Sequence, residues 1–126
     1  KDLRTELNKA PKKLLLIDVC CDLTTASVVQ IAPYVDSIDT MEYETGVQSY
    51  FNELVSAGVP ASKIINGLGF YAYVNSQSRA QSEVQFVVDK NMKGIEIWDS
   101  SEITGPNDAR LIPIMNLLGN KPACID

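Results

Sequence analysis

Histidine is absent from this chain, tryptophan occurs once and cysteine three times. With no imidazole and no C-x-x-C spacing, the common zinc and transition-metal ligand sets cannot be assembled, so no metal is expected. The thiols, Cys20, Cys21 and Cys124, are odd in number, which points to an unpaired thiol or a partner outside the chain. The adjacent Cys20 and Cys21 read as two small residues buried on a strand. Long apolar runs are missing as well. They extend only a few residues, as in Leu14 to Ile17, so no membrane span is expected. A basic excess is lacking too: the net charge is −5 and the pI about 4.6. Such a chain repels phosphate backbones, and nucleic acid is not an expected partner. No basic segment leads into an apolar one near Lys1, so no signal peptide is read here. The expectation is a processed chain or a piece of a longer protein. There is no N-x-[ST] acceptor.

What is present suffices for one globular domain over residues 1–126. Of the 126 residues, 45% are hydrophobic and 21% charged, enough to bury a core and close to the globular average. Apolar segments alternate with amphipathic ones. Leu14 to Cys21 is a nearly continuous apolar run, as in a strand buried on both faces. Thr24 to Tyr34 reads as a short helix, with Thr24 or Thr25 as N-cap. Val35 to Tyr43 has a mixed alternating pattern. Val47, Tyr50, Phe51, Leu54 and Val55 fall on one face of a helix that Gly58 closes and Pro60 cannot continue. Ile64 to Tyr73 is a further strand, and Ser78 to Lys90 a helix with Val84, Val87 and Val88 on one face. Lys93 to Trp98 is the fourth strand. Asp108 to Leu118 is the last helix, with Gly119 and Pro122 as stops and Pro113 inside it as a kink or a later start.

The order β-α-β-α-β-α-β-α predicts an α/β fold with a parallel sheet and right-handed crossovers. Four units of about 30 residues are half of an eightfold barrel of roughly 250. A free-standing flavodoxin-like sheet satisfies the same periodicity.

Three segments carry more than periodicity. Val35-Asp36-Ser37-Ile38-Asp39-Thr40-Met41-Glu42-Tyr43-Glu44 resembles the V-D-F-I-N-V-M-x-Y-D of the sixth barrel strand in family 18 glycoside hydrolases, the chitinase-like family. Gly58-Val59-Pro60-Ala61-Ser62-Lys63-Ile64-Ile65-Asn66-Gly67-Leu68-Gly69-Phe70-Tyr71 is similar to that family's G-V-P-x-x-K-[IV]-x-x-G-[LI]-P-F-Y entering strand seven. Gly94-Ile95-Glu96-Ile97-Trp98 is similar to the G-[VA]-x-x-W of strand eight. The resemblance covers nearly the whole chain and implies a (β/α)₈ TIM barrel, of which this is the half holding strands five to eight. The family signature D-G-x-D-x-D-x-E, whose Glu protonates the glycosidic oxygen, belongs to strand four and would precede Lys1. Nothing in this sequence replaces it by motif.

By that resemblance, Tyr43 at the end of its strand hydrogen-bonds the acetamido group of the substrate. Trp98 forms the apolar floor under the sugar, where a large ring stacks on a pyranose. Glu44 keeps the carboxylate of the family's Asp but is one methylene longer. Asp39 stands where the family often has Asn, and Gly69 where it has Pro. Alternation along strands puts Asp39 on the same face as Met41 and Tyr43, and Glu96 on the same face as Trp98. Carboxylates facing a barrel interior need partners or a raised pKa. Met41 is read as packing. Tyr71 and Tyr73 end the seventh strand and are candidates to line the cleft. Asp18, Asp22, Asp99 and Glu102 read as solvated charges at strand ends.

Two functions follow as expectations. One is a hydrolase acting on a glycan that contains N-acetylglucosamine, chitin-like, with its acid on the other half of the barrel. The other is an inactive chitinase-like protein that binds carbohydrate, stores nitrogen or serves as scaffold, which the departures at Asp39, Glu44 and Gly69 favour. Neither implies a cofactor. Either implies a companion for the open strands, which is the first half of the barrel or a second copy. The family resemblance implies a secreted or lumenal location.

Overall fold

A computed structural model describes residues 2–9, 13–20, 23–43, 47–71 and 76–118. The order is α1 (Asp2–Leu7), β1 (Leu16–Val19), α2 (Thr25–Ile31) with a 3₁₀ turn Ala32–Tyr34, β2 (Ser37–Thr40), α3 (Val47–Ser56), a 3₁₀ turn Ala61–Lys63, β3 (Ile64–Gly69), α4 (Gln77–Asp89), β4 (Gly94–Trp98), a 3₁₀ turn Ser100–Glu102, and α5 (Leu111–Leu118). The four strands form one parallel sheet in sequential order, β1-β2-β3-β4. A flavodoxin-like sheet would place the first strand between the second and third, so that alternative is excluded for these strands. No described helix is long and apolar enough to cross a membrane.

Alternation sorts the strand residues onto two faces. Ile17 and Val19 of β1, Ile38 of β2, Ile64 of β3 and Ile95 of β4 pack against Val28, Phe51, Leu54 and Val87 of α2, α3 and α4. Leu68 and Phe70 pack with Ala80, Val84 and Ile114 of α4 and α5. Both core clusters therefore lie on one face. The opposite face carries Leu16, Asp18, Ser37, Asp39, Ile65, Gly67, Gly69, Glu96 and Trp98. The edge strand β1 shows the consequence: Leu16 and Asp18 are exposed while Val19 is buried. The run from Leu14 was expected to be covered on both sides; it is covered on one.

The helix ends follow their sequence signals. Thr24 caps α2 by accepting from Ser27 N, and Ser76 caps α4 by accepting from Arg79 N. Gly58 ends α3 with φ at 100°. The Gly58 and Val59 amides bond back to Val55 and Leu54, the Schellman arrangement that a residue with free φ permits. Asn91, at φ 52°, does the same for α4. Pro33 ends α2 early as the chain tightens into a 3₁₀ turn. Pro113 does not kink α5, because it sits in the first turn, where no amide donor is required. Asp108 lies before that helix and binds Thr104 and Arg110. The expected stops Gly119 and Pro122 lie outside the described residues.

The helix α1 was not legible in the sequence. It sits at the N-terminal end of the sheet, where Arg4 pairs with Asp36 and donates to Tyr34 O at 2.8 Å. Lys63 donates to the carbonyls of Ala32 and Val35 at 2.8 and 2.9 Å. Lys93 donates to Asp36 O at 2.6 Å. Cations thus fasten that end of the sheet and leave the C-terminal ends of the strands free for a site.

Candidate functional site at the C-terminal ends of the strands

Three aromatic residues converge on the face without helices. Tyr43 lies three residues beyond β2, Tyr71 two beyond β3, and Trp98 ends β4. The Tyr43 and Trp98 rings are nearly parallel, with centroids 6.4 Å apart and 13° between planes. Tyr71 meets Tyr43 edge-on at 6.3 Å. Glycines make this possible. A Cβ on Gly67 would lie 2.8 Å from Tyr43 Cε1, and one on Gly69 would lie 3.1 Å from both Tyr43 Cβ and Tyr71 Cζ. The tyrosine ring therefore rests on bare backbone of β3. Gly69, where the resembled family has proline, belongs to this floor. Trp98 is 49% exposed and is not a core tryptophan. The peptide bond Trp98–Asp99 is cis.

Beneath the rings lie carboxyl groups. Asp39 is 3% exposed, and its Oδ1 has no hydrogen-bond donor among the described residues. Glu96 lies within hydrogen-bonding reach of Asp39, and the Tyr43 hydroxyl donates to Glu96 Oε2 at 3.4 Å. Asp18 is the register partner of Asp39 across the β1–β2 ladder and adds a third negative charge on the same face. Burial first, then repulsion from Glu96 and Asp18, raises the Asp39 carboxyl to about 7. Burial and Asp18 also raise Glu96, while its hydrogen bonds to Tyr43 and Asp39 pull the other way. The Tyr43 hydroxyl is pushed up by burial and by the same carboxylates, so it stays protonated. Among the described residues, no group of three or more acids has the arrangement to hold a metal ion.

The structure thus brings together Tyr43, Asp39, Glu96, Trp98 and Tyr71. Glu44 and Tyr73 lie outside the described residues, as do Asp22, Cys21 and Cys124. Asp18 is exposed, as read for a charge at a strand end, and its register with Asp39 puts both on one face. Asp99 serves the backbone, accepting from Ser101 N at 2.6 Å. Cys20 is exposed just past β1 and not buried on the strand.

Sequence reasoning missed Arg79. Its guanidinium donates to Tyr43 O at 2.8 Å and lies 4.0 Å from Glu83, which accepts from Asn66 of β3. The helix α4 thereby holds the backbone of Tyr43. One signal was available: a cation in the first turn of a helix opposes the macrodipole and calls for another partner. An open groove of about 560 Å³ runs between α3 and α4 and is lined by residues including Gln48, Gln81, Gln85 and Phe86. It gathers no aromatic platform and no coupled acids.

Comparison with known proteins adds no assignment: no family model, no curated protein and no solved structure matches the chain.

Proposed function

We propose that this chain is the C-terminal half of a chitinase-like (β/α)₈ barrel and that its helix-free face binds a glycan containing N-acetylglucosamine. The observation that carries this reading is the parallel pair Tyr43 and Trp98 at the C-terminal ends of parallel strands, where ligands of such sheets bind. Rings above and carboxyl groups below suit a sugar, which offers an apolar face and hydroxyl edges. The sequential strand order and the single helix layer are what four units of a barrel require. The exposed Leu16 and the open edges of β1 and β4 would be covered by the first barrel half, or by a second copy. The acid that protonates a glycosidic oxygen would reside on that first half. A secreted or lumenal setting accompanies this reading.

One observation favours the binding reading over hydrolysis. The Tyr43 hydroxyl is directed to Glu96, so the proton that would orient an acetamido oxygen is engaged within the chain. Trp98 is the sole tryptophan and half exposed, so its fluorescence reports the site directly. Titration with N-acetylglucosamine oligomers should shift and saturate the Trp98 emission, and Tyr43→Ala should abolish the response. An unresponsive Trp98 at millimolar oligomer refutes the carbohydrate reading. Release of reducing ends would favour the hydrolase, and binding without release the lectin-like protein.

A further inference from the structure

Two carboxyl groups in mutual contact cannot both be ionised without a compensating cation, and a hydrogen bond between them requires a proton. Asp39 is buried, and Glu96, on the same sheet face, lies within hydrogen-bonding reach of it. Among the described residues, the titratable groups that act on the pair are Asp18 from β1 and Tyr43 beyond β2. No lysine or arginine among the described residues contributes to the electrostatics of either acid. Two further observations single out this spot. Asp39 Oδ1 and Ser37 Oγ, both buried on adjacent positions of one face of β2, have no hydrogen-bond partner among the described residues. The two members also differ in access: Asp39 is enclosed, while Glu96 is only partly buried.

We propose that Asp39 and Glu96 share a single proton, and that Glu96, the member open to the cleft, presents it as a hydrogen-bond donor to an uncharged acceptor oxygen of a bound ligand. The ligand class is a hydroxyl, ether or amide oxygen, and anions are repelled by Asp18 and by the remaining charge of the pair. The chain then carries a proton donor of its own, made from two positions where the sequence looked merely acidic. The ligand half of this inference rests on the reading of the helix-free face as a glycan site; the proton-sharing half does not. Tyr43 is drawn in as well, since its hydroxyl donates to Glu96.

The test is a carbon-13 NMR titration of the aspartate and glutamate carboxyls in the ligand-free protein. Two carboxyl signals should move together in one step near pH 7, because a coupled pair titrates as a unit. In Asp39→Asn or in Glu96→Gln the neutral step should vanish. Both changes keep volume, circular dichroism checks the fold, and either folded variant is sufficient. If every carboxyl of the wild type titrates below about pH 5, as isolated acids do, the shared proton is refuted. Trp98 fluorescence with N-acetylglucosamine oligomers then tests the ligand half. Affinity should fall about tenfold as the pair loses its proton, the loss expected for one hydrogen bond, and Glu96→Gln should flatten that dependence. Affinity that rises with pH would mean that the ionised pair accepts from the sugar's hydroxyl or amide groups, and would overturn the donor role. A neutral step without glycan binding at any pH would sink the carbohydrate reading while leaving the pair in place.

Discussion

Gly67→Ala should unfold this protein more readily than its chemistry suggests, and the size of the effect can be worked out. Gly67 does not occupy left-handed backbone, so the residue is required for space and not for conformation. An added Cβ would come closer to the Thr40 carbonyl oxygen than real Cβ atoms come to any atom, and would lie 2.8 Å from Tyr43 Cε1. The tyrosine ring can swing away. The Thr40 carbonyl cannot, because it belongs to the neighbouring strand of the β2–β3 ladder, where Thr40 is in register with Asn66. Relief requires parting the two central strands. Overpacking of this kind costs about 1–3 kcal/mol, and each ladder bond weakened adds about 1, so the expected loss is about 2–4 kcal/mol. For a chain of this size that lowers the melting temperature by about 10 °C.

The assay is urea unfolding followed by circular dichroism, with Gly94→Ala alongside. Gly94 lies on the same sheet face, and nothing would come within 4 Å of its added Cβ. That variant should stay within about 0.5 kcal/mol of wild type or gain slightly, since alanine restricts the unfolded chain. Gly67→Ala should also alter Trp98 emission, because the displaced ring is the one stacked on Trp98. A loss below about 1 kcal/mol at Gly67, or equal losses at both glycines, would refute the argument that the tyrosine ring rests on bare backbone.

Other perturbations have defined outcomes. Asp39 has a folded pKa raised above its unfolded value, so the stability it contributes is present in acid and lost as pH rises from about 4 to about 7. Asp39→Asn should therefore match wild type near pH 4 and exceed it by roughly 1–2 kcal/mol above pH 7, with solvent screening at the open face allowed for; thermal melts across pH decide this. Lys63→Met keeps the alkyl stem but strips the donor from the Ala32 and Val35 carbonyls, at a cost of about 1–2 kcal/mol by urea unfolding. Ser76→Ala removes the cap of α4 and should cost about 1 kcal/mol in the same assay, with Ser76→Gly restoring most of it.

The elements that periodicity reveals best are those whose burial is one-sided and long. The α3 and α4 stripes predicted Phe51, Leu54, Val84 and Val87, all of which are buried. Val55 and Val88, at the margins of the same stripes, are 38% and 46% exposed, because the sheet below is narrower than the apolar arc. Strand existence and direction were readable, whereas strand ends were not. Ladder pairing of β2 and β3 stops at Thr40 and Gly69, where the backbone turns toward the site, yet the apolar pattern runs on through Met41 and Phe70. The G-V-P-x-x-K segment owes its legibility to three separate demands: a left-handed Gly58, a buried Val59, and a Lys63 that gathers carbonyls. Each is local enough to leave a mark in the sequence.

The site was legible only as parity. Alternation placed Asp39 and Glu96 on one face with Tyr43 and Trp98, but it could not tell how far each sits along the strand direction, which depends on register between strands that are distant in sequence. Register decides the chemistry. Because Asp18 pairs with Asp39 and Gly67 with Glu96, the acids converge and a glycine, not a side chain, separates Glu96 from β2. Had β4 slipped by two residues, parity would be unchanged, yet Glu96 would face Ile65 or Gly69 and the Tyr43 bond would be lost. A variant that tests register more than parity is therefore informative. Gly67→Val, if it folds, must displace the Tyr43 ring from β3 and from its bond to Glu96, and should change the Trp98 emission even though no acid has been removed.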